Sequence, residues 1–176
     1  MKKKIVAIFV ITFVFFIIGG CKSSLENKDI SDIENTVKDI NENYSRYTDG
    51  VFNFTVVYPA IWGSECLTYY EATETRNASP DSGIYIYVNG NKEDYMYVYG
   101  QHGTIGVMNE SMFEKQHFKN SYDKCGTLYI EEIDGKTNGQ LLMDDNKHIS
   151  VIFSMNSKVF QENNQEIMYI LHSIEY

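Results

Sequence analysis

Two short runs constrain the fold of this chain more than any other part of it. Gly83-Ile84-Tyr85-Ile86-Tyr87-Val88 alternates aliphatic and aromatic residues without a break, and Tyr95-Met96-Tyr97-Val98-Tyr99 does the same. A period of two puts alternate side chains on opposite faces of a strand, whereas a helix would scatter the same tyrosines around its circumference. Asn89-Gly90 opens the connection between the runs, which predicts neighbouring antiparallel strands joined by residues 89–94. Tyr85 and Tyr87 then share a face with Tyr97 and Tyr99. Tyrosine offers a rigid apolar plate with a polar tip, which suits sugars and protein partners. In a sheet covered on both faces, the same four side chains would instead pack beneath a helix.

The rest of the body repeats the strand pattern. Fourteen Tyr against two Pro favours sheet, because Tyr is enriched in strands and Pro is excluded from their interiors. Val51 to Tyr58 reads as a strand ended by Pro59, and Cys66 to Thr75 as a second. Thr127 to Ile133, Gly139 to Met143 and His148 to Met155 form a meander, with turns at Asp134-Gly135 and Asp144-Asp145-Asn146. A helix is expected over Asn109 to Phe118, beside an Asn cap. A closing helix places Ile167, Ile170, Leu171 and Ile174 on one face, with Asn163 and Glu166 at its start. The order of strands, helix, strands, helix predicts an α+β domain over residues 50–176, a mostly antiparallel sheet flanked by helices.

Phe54-Thr55-Val56-Val57-Tyr58-Pro59-Ala60-Ile61-Trp62 resembles the opening strand of the PsbP-like family, which runs an aromatic strand into Tyr-Pro and then Trp. Ile133-Asp134-Gly135 is similar to a turn of that family, and Glu166 to Ile174 to its closing helix. The resemblance implies an α/β/α sandwich and a binding or assembly module, not a catalyst; it carries no ligand residue over to a position here. Without it, Pro59 ends the strand by removing a donor, and Trp62 folds back as an apolar plug or stands exposed to stack on a ligand.

The N-terminus is an address. Lys2, Lys3 and Lys4 precede an apolar run from Ile5 to Ile18, broken only by Thr12. That is the layout of a secretory signal, and the run is shorter than the ~20 residues of a membrane-crossing helix. Ile18-Gly19-Gly20-Cys21 resembles the lipobox of bacterial lipoproteins. The resemblance implies thioether lipidation of Cys21, cleavage after Gly20, and a protein held at the extracytoplasmic face of the cell membrane without spanning it. Residues 1–20 form the signal and 21–49 a tether. Within the tether, Ser31 and Glu34 match a capping box, and Ile33, Val37, Ile40, Tyr44 and Tyr47 are spaced for a helix near 32–48. Such a helix either dimerises as a short coiled coil or packs on its own domain.

Charge and length exclude several classes. The 176 residues carry 15 basic and 24 acidic side chains, a net charge of −9. Loss of the signal removes three lysines and no acid, leaving 12 − 24 = −12. So acidic a surface repels phosphate backbones and argues against nucleic acid as a partner. One ordinary domain fits this length, but a two-lobed solute-binding protein does not.

No catalytic set assembles from the sequence. Cys66 and Cys125 are an even pair in an exported domain, which is either a disulfide or two separately placed thiols. His102, His117, His148 and His172 show no metal-ligand spacing, and no metal or cofactor is implied. His102 lies in the glycine-rich loop Gly100 to Gly106, which lacks the Gly-Lys-Ser/Thr ending of a phosphate loop. Glu131 and Glu132 are adjacent on a strand and point to opposite faces, so they form no acid pair. The expectation is a non-catalytic lipoprotein that binds an envelope protein or wall component, with Tyr85, Tyr87, Tyr97, Tyr99 and His102 as candidate surface. The alternative is an envelope hydrolase with an active site not recognisable in the sequence.

Overall fold

The computed structural model describes residues 36–67, 81–107 and 112–176. They belong to one compact unit. The lipobox and Cys21 lie outside the described residues. Among the described residues, ten strands form two antiparallel sheets. The smaller sheet orders β1 (Thr36–Asp39), β2 (Tyr44–Asp49) and β3 (Phe54–Pro59) side by side. The larger contains β4 (Gly63–Leu67), β5 (Asp81–Tyr87), β6 (Tyr95–Gln101), β7 (Glu114–Lys119), β8 (Cys125–Ile133), β9 (Lys136–Met143) and β10 (Ile149–Asn156), in the spatial order β4-β5-β6-β10-β9-β8-β7. Two short helices, α1 (Ser157–Glu162) and α2 (Asn164–His172), close the chain.

Only one face of the large sheet is covered by these elements. Its core side chains, Ile84, Ile86, Met96, Val98, Leu141, Val151, Phe153 and Met155, meet Tyr47, Phe54, Val56 and Tyr58 of the small sheet and Ile167, Ile170, Leu171 and Ile174 of the C-terminal segment. Trp62 is buried in the same cluster, as the plug that follows Pro59. The expected α/β/α sandwich is therefore corrected to a β-rich fold in which two short helices and a second sheet lie on the same side. Strand pattern explains the outcome: period-two burial dominates the chain, and only residues 157–172 carry a helical stripe.

Both other expected helices are replaced by strands. Over 32–48, the described part forms β1 and β2, paired with Val37 opposite Tyr47. The Asn41 side-chain oxygen accepts from the backbone N–H of Asn43 at 2.8 Å and Tyr44 at 2.9 Å, a turn that cuts the supposed helix in two. Beyond it, Ser45, Tyr47 and Asp49 are buried in alternation, the period of a strand. Over 109–118, the described residues run into β7, which pairs with β8 along its whole length and buries Phe118 opposite Gly126. A ten-residue helix is marginal without a sustained apolar stripe, and the ladder supplies what the stripe lacks.

The meander and the hairpins fold as expected. Ile133 pairs with Lys136 across Asp134-Gly135, whose φ values of 51° and 74° are those of the tight turn that Asp-Gly favours. In α2 the apolar face is the expected one. Asn163 stands at the N-cap position, but its amide donates back to the Val159 carbonyl at 2.9 Å and does not cap the helix.

A buried carboxylate locks the two sheets together. Asp49, fully buried at the end of β2, accepts from the backbone N–H groups of Val51 and Phe52 on one oxygen. Its other oxygen accepts from the hydroxyls of Tyr47 at 2.9 Å and Ser82 at 2.6 Å. Ser82 belongs to β5 of the large sheet. Burial and the neighbouring Asp49 charge push the Tyr47 phenol well above its usual value.

Candidate functional site

The face of the large sheet opposite the main core is built in three rows by the strand register. The central row runs Tyr85, Tyr97, Ile152, Gln140, Tyr129, Lys115 across six strands. On one side lies Tyr87, Tyr95, Ser154, Asn138, Glu131, and on the other Gly83, Tyr99, Ser150, Leu142, Thr127, His117. These residues take the positions between those that form the core, so alternation alone assigns them to this face.

The predicted tyrosine ladder exists, and its rings stack on one another. Tyr85 and Tyr97 lie 4.2 Å apart between ring centroids at 10°, and Tyr97 and Tyr99 4.7 Å apart at 7°. Tyr87 continues the stack beyond Tyr85 at 6.1 Å and 15°. Tyr99 sits opposite Gly83, and a Cβ there would approach the Tyr99 Cβ to 2.9 Å. Glycine is what lets the ring lie flat on the neighbouring strand. The stack is covered at one end. Tyr97 and Tyr99 are 6% and 8% exposed, in a small apolar cluster with Ile105. Tyr85, Tyr87 and Tyr95 are half-buried.

Ile105 belongs to the glycine-rich stretch after β6. It is held over the face by three bonds: Ile105 N–H donates to the Lys147 carbonyl at 3.0 Å, Gln140 Nε2 donates to the Gly106 carbonyl at 3.2 Å, and the His148 Nδ1 lies 3.0 Å from the Gly103 carbonyl. His102, the candidate from this loop, is exposed and sets its ring edge-on to Phe52 at 5.1 Å, away from the ladder tyrosines in the fold. At the edge of the ladder, Tyr87 donates to Glu65 at 3.0 Å and Lys92 to the same carboxylate at 2.8 Å. The Lys92 bond, then that of Tyr87, holds the Glu65 carboxyl below its usual range.

Two cavities flank the ordered loop. One, of about 480 Å³, is lined by Ile105, Val107, Thr127, Tyr129, Leu142 and Lys147 among others. The second, of about 360 Å³, lies between Tyr95 and Phe113, over Asn138, Gln140, Ile152 and Ser154 with Glu131 at its edge. Both fall in the range of small-ligand sites, about 300–1,000 Å³. The sequence reading omitted Tyr95, Phe113, Asn138 and Gln140. Asn138 and Gln140 alternate with the buried positions Thr137, Gly139 and Leu141 of β9, which is the signal that could have found them.

The cysteines do not meet. Both are free thiols, Cys66 on β4 and Cys125 at the start of β8, with four strands between them. Strand spacing of about 4.8 Å puts them on the order of 20 Å apart, well beyond the roughly 7 Å between Cα atoms that a disulfide tolerates. Of the two arrangements the sequence leaves open, the structure has two separate thiols. Burial pushes the Cys66 thiol upward, which makes it a poor nucleophile.

The histidines are dispersed: His117 lies exposed on the edge strand β7, and His172 stacks on Phe118 at 4.7 Å. No group of three or more His, Cys, Asp or Glu could hold a metal among the described residues. No helix among them is long and apolar enough to cross a membrane. No family model, curated protein or solved structure matches the chain.

Proposed function

We propose that the chain is a lipid-anchored extracytoplasmic lipoprotein whose folded unit is a non-catalytic binding module for an envelope protein or wall component. The observation that supports binding is the second face of the seven-stranded sheet, over which no helix or further sheet lies among the described residues. Tyr85, Tyr87 and Tyr95 stand half-exposed there, beside two cavities with mixed aromatic and polar walls. The lipobox supports the anchor, since two acyl chains on one residue hold a protein stably at a membrane.

The module works by contact and requires no cofactor. Stacking fixes the ring orientations before a partner arrives, so little rotamer freedom is lost on binding. The test is fractionation and crosslinked capture from cells. Cys21→Ser should move the protein out of the membrane fraction. Tyr85→Ser with Tyr87→Ser should leave it in the membrane and release the captured partner. Unchanged membrane attachment of the first variant, or unchanged capture by the second, refutes the corresponding half.

A further inference from the structure

The cavity between Tyr95 and Phe113 has a distinctive hydrogen-bonding character. Gln140 is 6% exposed and lines it. Its Nε2 is spent on the Gly106 carbonyl and the Ser150 hydroxyl, and its Oε1 accepts nothing among the described residues. Asn138 likewise uses its amide nitrogen on Glu131 at 3.3 Å, which leaves Oδ1 as an acceptor. Glu131, Tyr95 and Ser154 are the other polar residues of the lining. Three side chains thus carry acceptor oxygens and two carry hydroxyls; both Gln140 amide donors are occupied, and Asn138 keeps one N–H beside its Glu131 bond. Tyr95 and Phe113 add ring surfaces, and Ile152 an apolar floor.

A ligand that fits must be donor-rich, ring-shaped and partly apolar. A pyranose meets all three requirements: its hydroxyls donate, and its C–H faces pack on aromatic rings. A phosphate-bearing polymer does not, because it brings only acceptors and negative charge to a cavity edged by Glu131 in a strongly acidic chain. The ladder itself is less suited to sugar, since its ring faces are spent on one another.

We propose that this cavity binds one sugar ring of a neutral glycan, with Gln140, Asn138 and Glu131 accepting its hydroxyls between Tyr95 and Phe113. The inference rests on the binding-module reading and narrows its ligand to a saccharide.

The experiment is calorimetric titration of the full lipidated chain in detergent micelles with three probes. These are a β-1,4-linked N-acetylglucosamine tetramer, its deacetylated cationic form, and oligomeric glycerol phosphate. The neutral tetramer should bind with a dissociation constant in about the millimolar range or tighter, and the phosphate oligomer should not. Asn138→Ala and Tyr95→Ala should each weaken the neutral probe about three- to tenfold at unchanged circular dichroism. Gln140→Met keeps the side-chain length, and its loss of binding at native circular dichroism would support the Gln140 acceptor. Absence of neutral-probe binding overturns the proposal, as does binding insensitive to all three variants. A preference of more than about tenfold for the cationic tetramer overturns the neutral class, because Glu131 would then be reading an ammonium group. If the neutral probe fails while tyrosine-dependent envelope capture persists, the sugar inference falls and the module reading stands.

Discussion

Removal of the Asp49 carboxylate should break the lock between the two sheets. Four donors converge on it: two backbone N–H groups from the loop to β3, and the Tyr47 and Ser82 hydroxyls. In Asp49→Ala the loop N–H groups are part-buried and can recover water, but the two hydroxyls are buried. Each hydroxyl that loses this acceptor costs about 1–3 kcal/mol, so the variant should lose about 2–6 kcal/mol. That is a large part of the 5–15 kcal/mol typical of a domain. Asp49→Asn keeps one oxygen for the loop and presents an amide to two hydroxyls that can rotate to accept, so about 1–2 kcal/mol is expected. Urea unfolding is the assay, followed by circular dichroism and by emission of Trp62, the one tryptophan of the chain, which is buried in the shared core. A double-mutant cycle with Ser82→Ala should return a coupling of about 1–3 kcal/mol, the range for a bond to a charged group. A loss below about 1 kcal/mol for the alanine variant, or equal losses for alanine and asparagine, would refute this account.

Other perturbations probe different parts of the fold. Gly139→Ala would place a Cβ into the Phe153 ring, and thermal denaturation should show a loss of about 1–3 kcal/mol that Phe153→Leu partly restores. Near the C-terminus, a hydrogen bond from Tyr176 and then one from Lys124 hold Asp145 below its usual value. A depressed carboxyl stabilises above its unfolded value of 3.8 and loses that contribution as pH falls through the lower folded value. Burial, then the Asp145 bond, raises Tyr176, whose contribution holds below its unfolded value of 10.0 and is lost as pH rises through the higher folded value. The Tyr176 ring resonances should therefore shift at both pH extremes, with a linked stability change of no more than about 1 kcal/mol, and Tyr176→Phe should move the Asp145 titration toward its usual value without removing it, because Lys124 remains. Alkylation without reduction, after unfolding, should add one adduct at each of Cys66 and Cys125; a mass lacking both adducts would restore the disulfide.

Much of the large sheet was legible because its side chains announce their faces. The runs 83–88 and 95–99 fix both period and register, and Tyr85 does stand opposite Tyr97. The meander from Thr127 to Met155 was legible for the same reason, with Asp134-Gly135 supplying the turn. The helices at 32–48 and 109–118 were misread because apolar spacing alone does not separate a sparse helical stripe from two short strands. What decides between them is Asn41, whose single oxygen ends the run, and the availability of β8 as a partner for β7. The first is a local signal that spacing arguments pass over; the second is a tertiary fact. The flanking-helix architecture failed with those two elements, since it needed helices over the face that the tyrosines share.

The site was only half legible, and the missing half depends on contacts far apart in sequence. Tyr85, Tyr87, Tyr97 and Tyr99 share a face, as a period of two requires, yet nothing local says that Ile105 would bury two of them. Gln140 reads in sequence as a polar residue in a strand. It becomes an acceptor only because Gly106, 34 positions away, takes up its amide nitrogen together with Ser150. The same bond that fastens the loop over one end of the ladder therefore sets the chemistry of the neighbouring cavity. Loop order and cavity specificity are coupled through one side chain. Gln140→Met should consequently do two things at once: loosen residues 103–107, seen as faster amide exchange at Ile105, and remove the acceptor. Asn138→Ala should remove an acceptor while leaving Ile105 exchange unchanged. If both variants accelerate that exchange equally, the loop is not held through Gln140, and the link between loop and cavity does not exist.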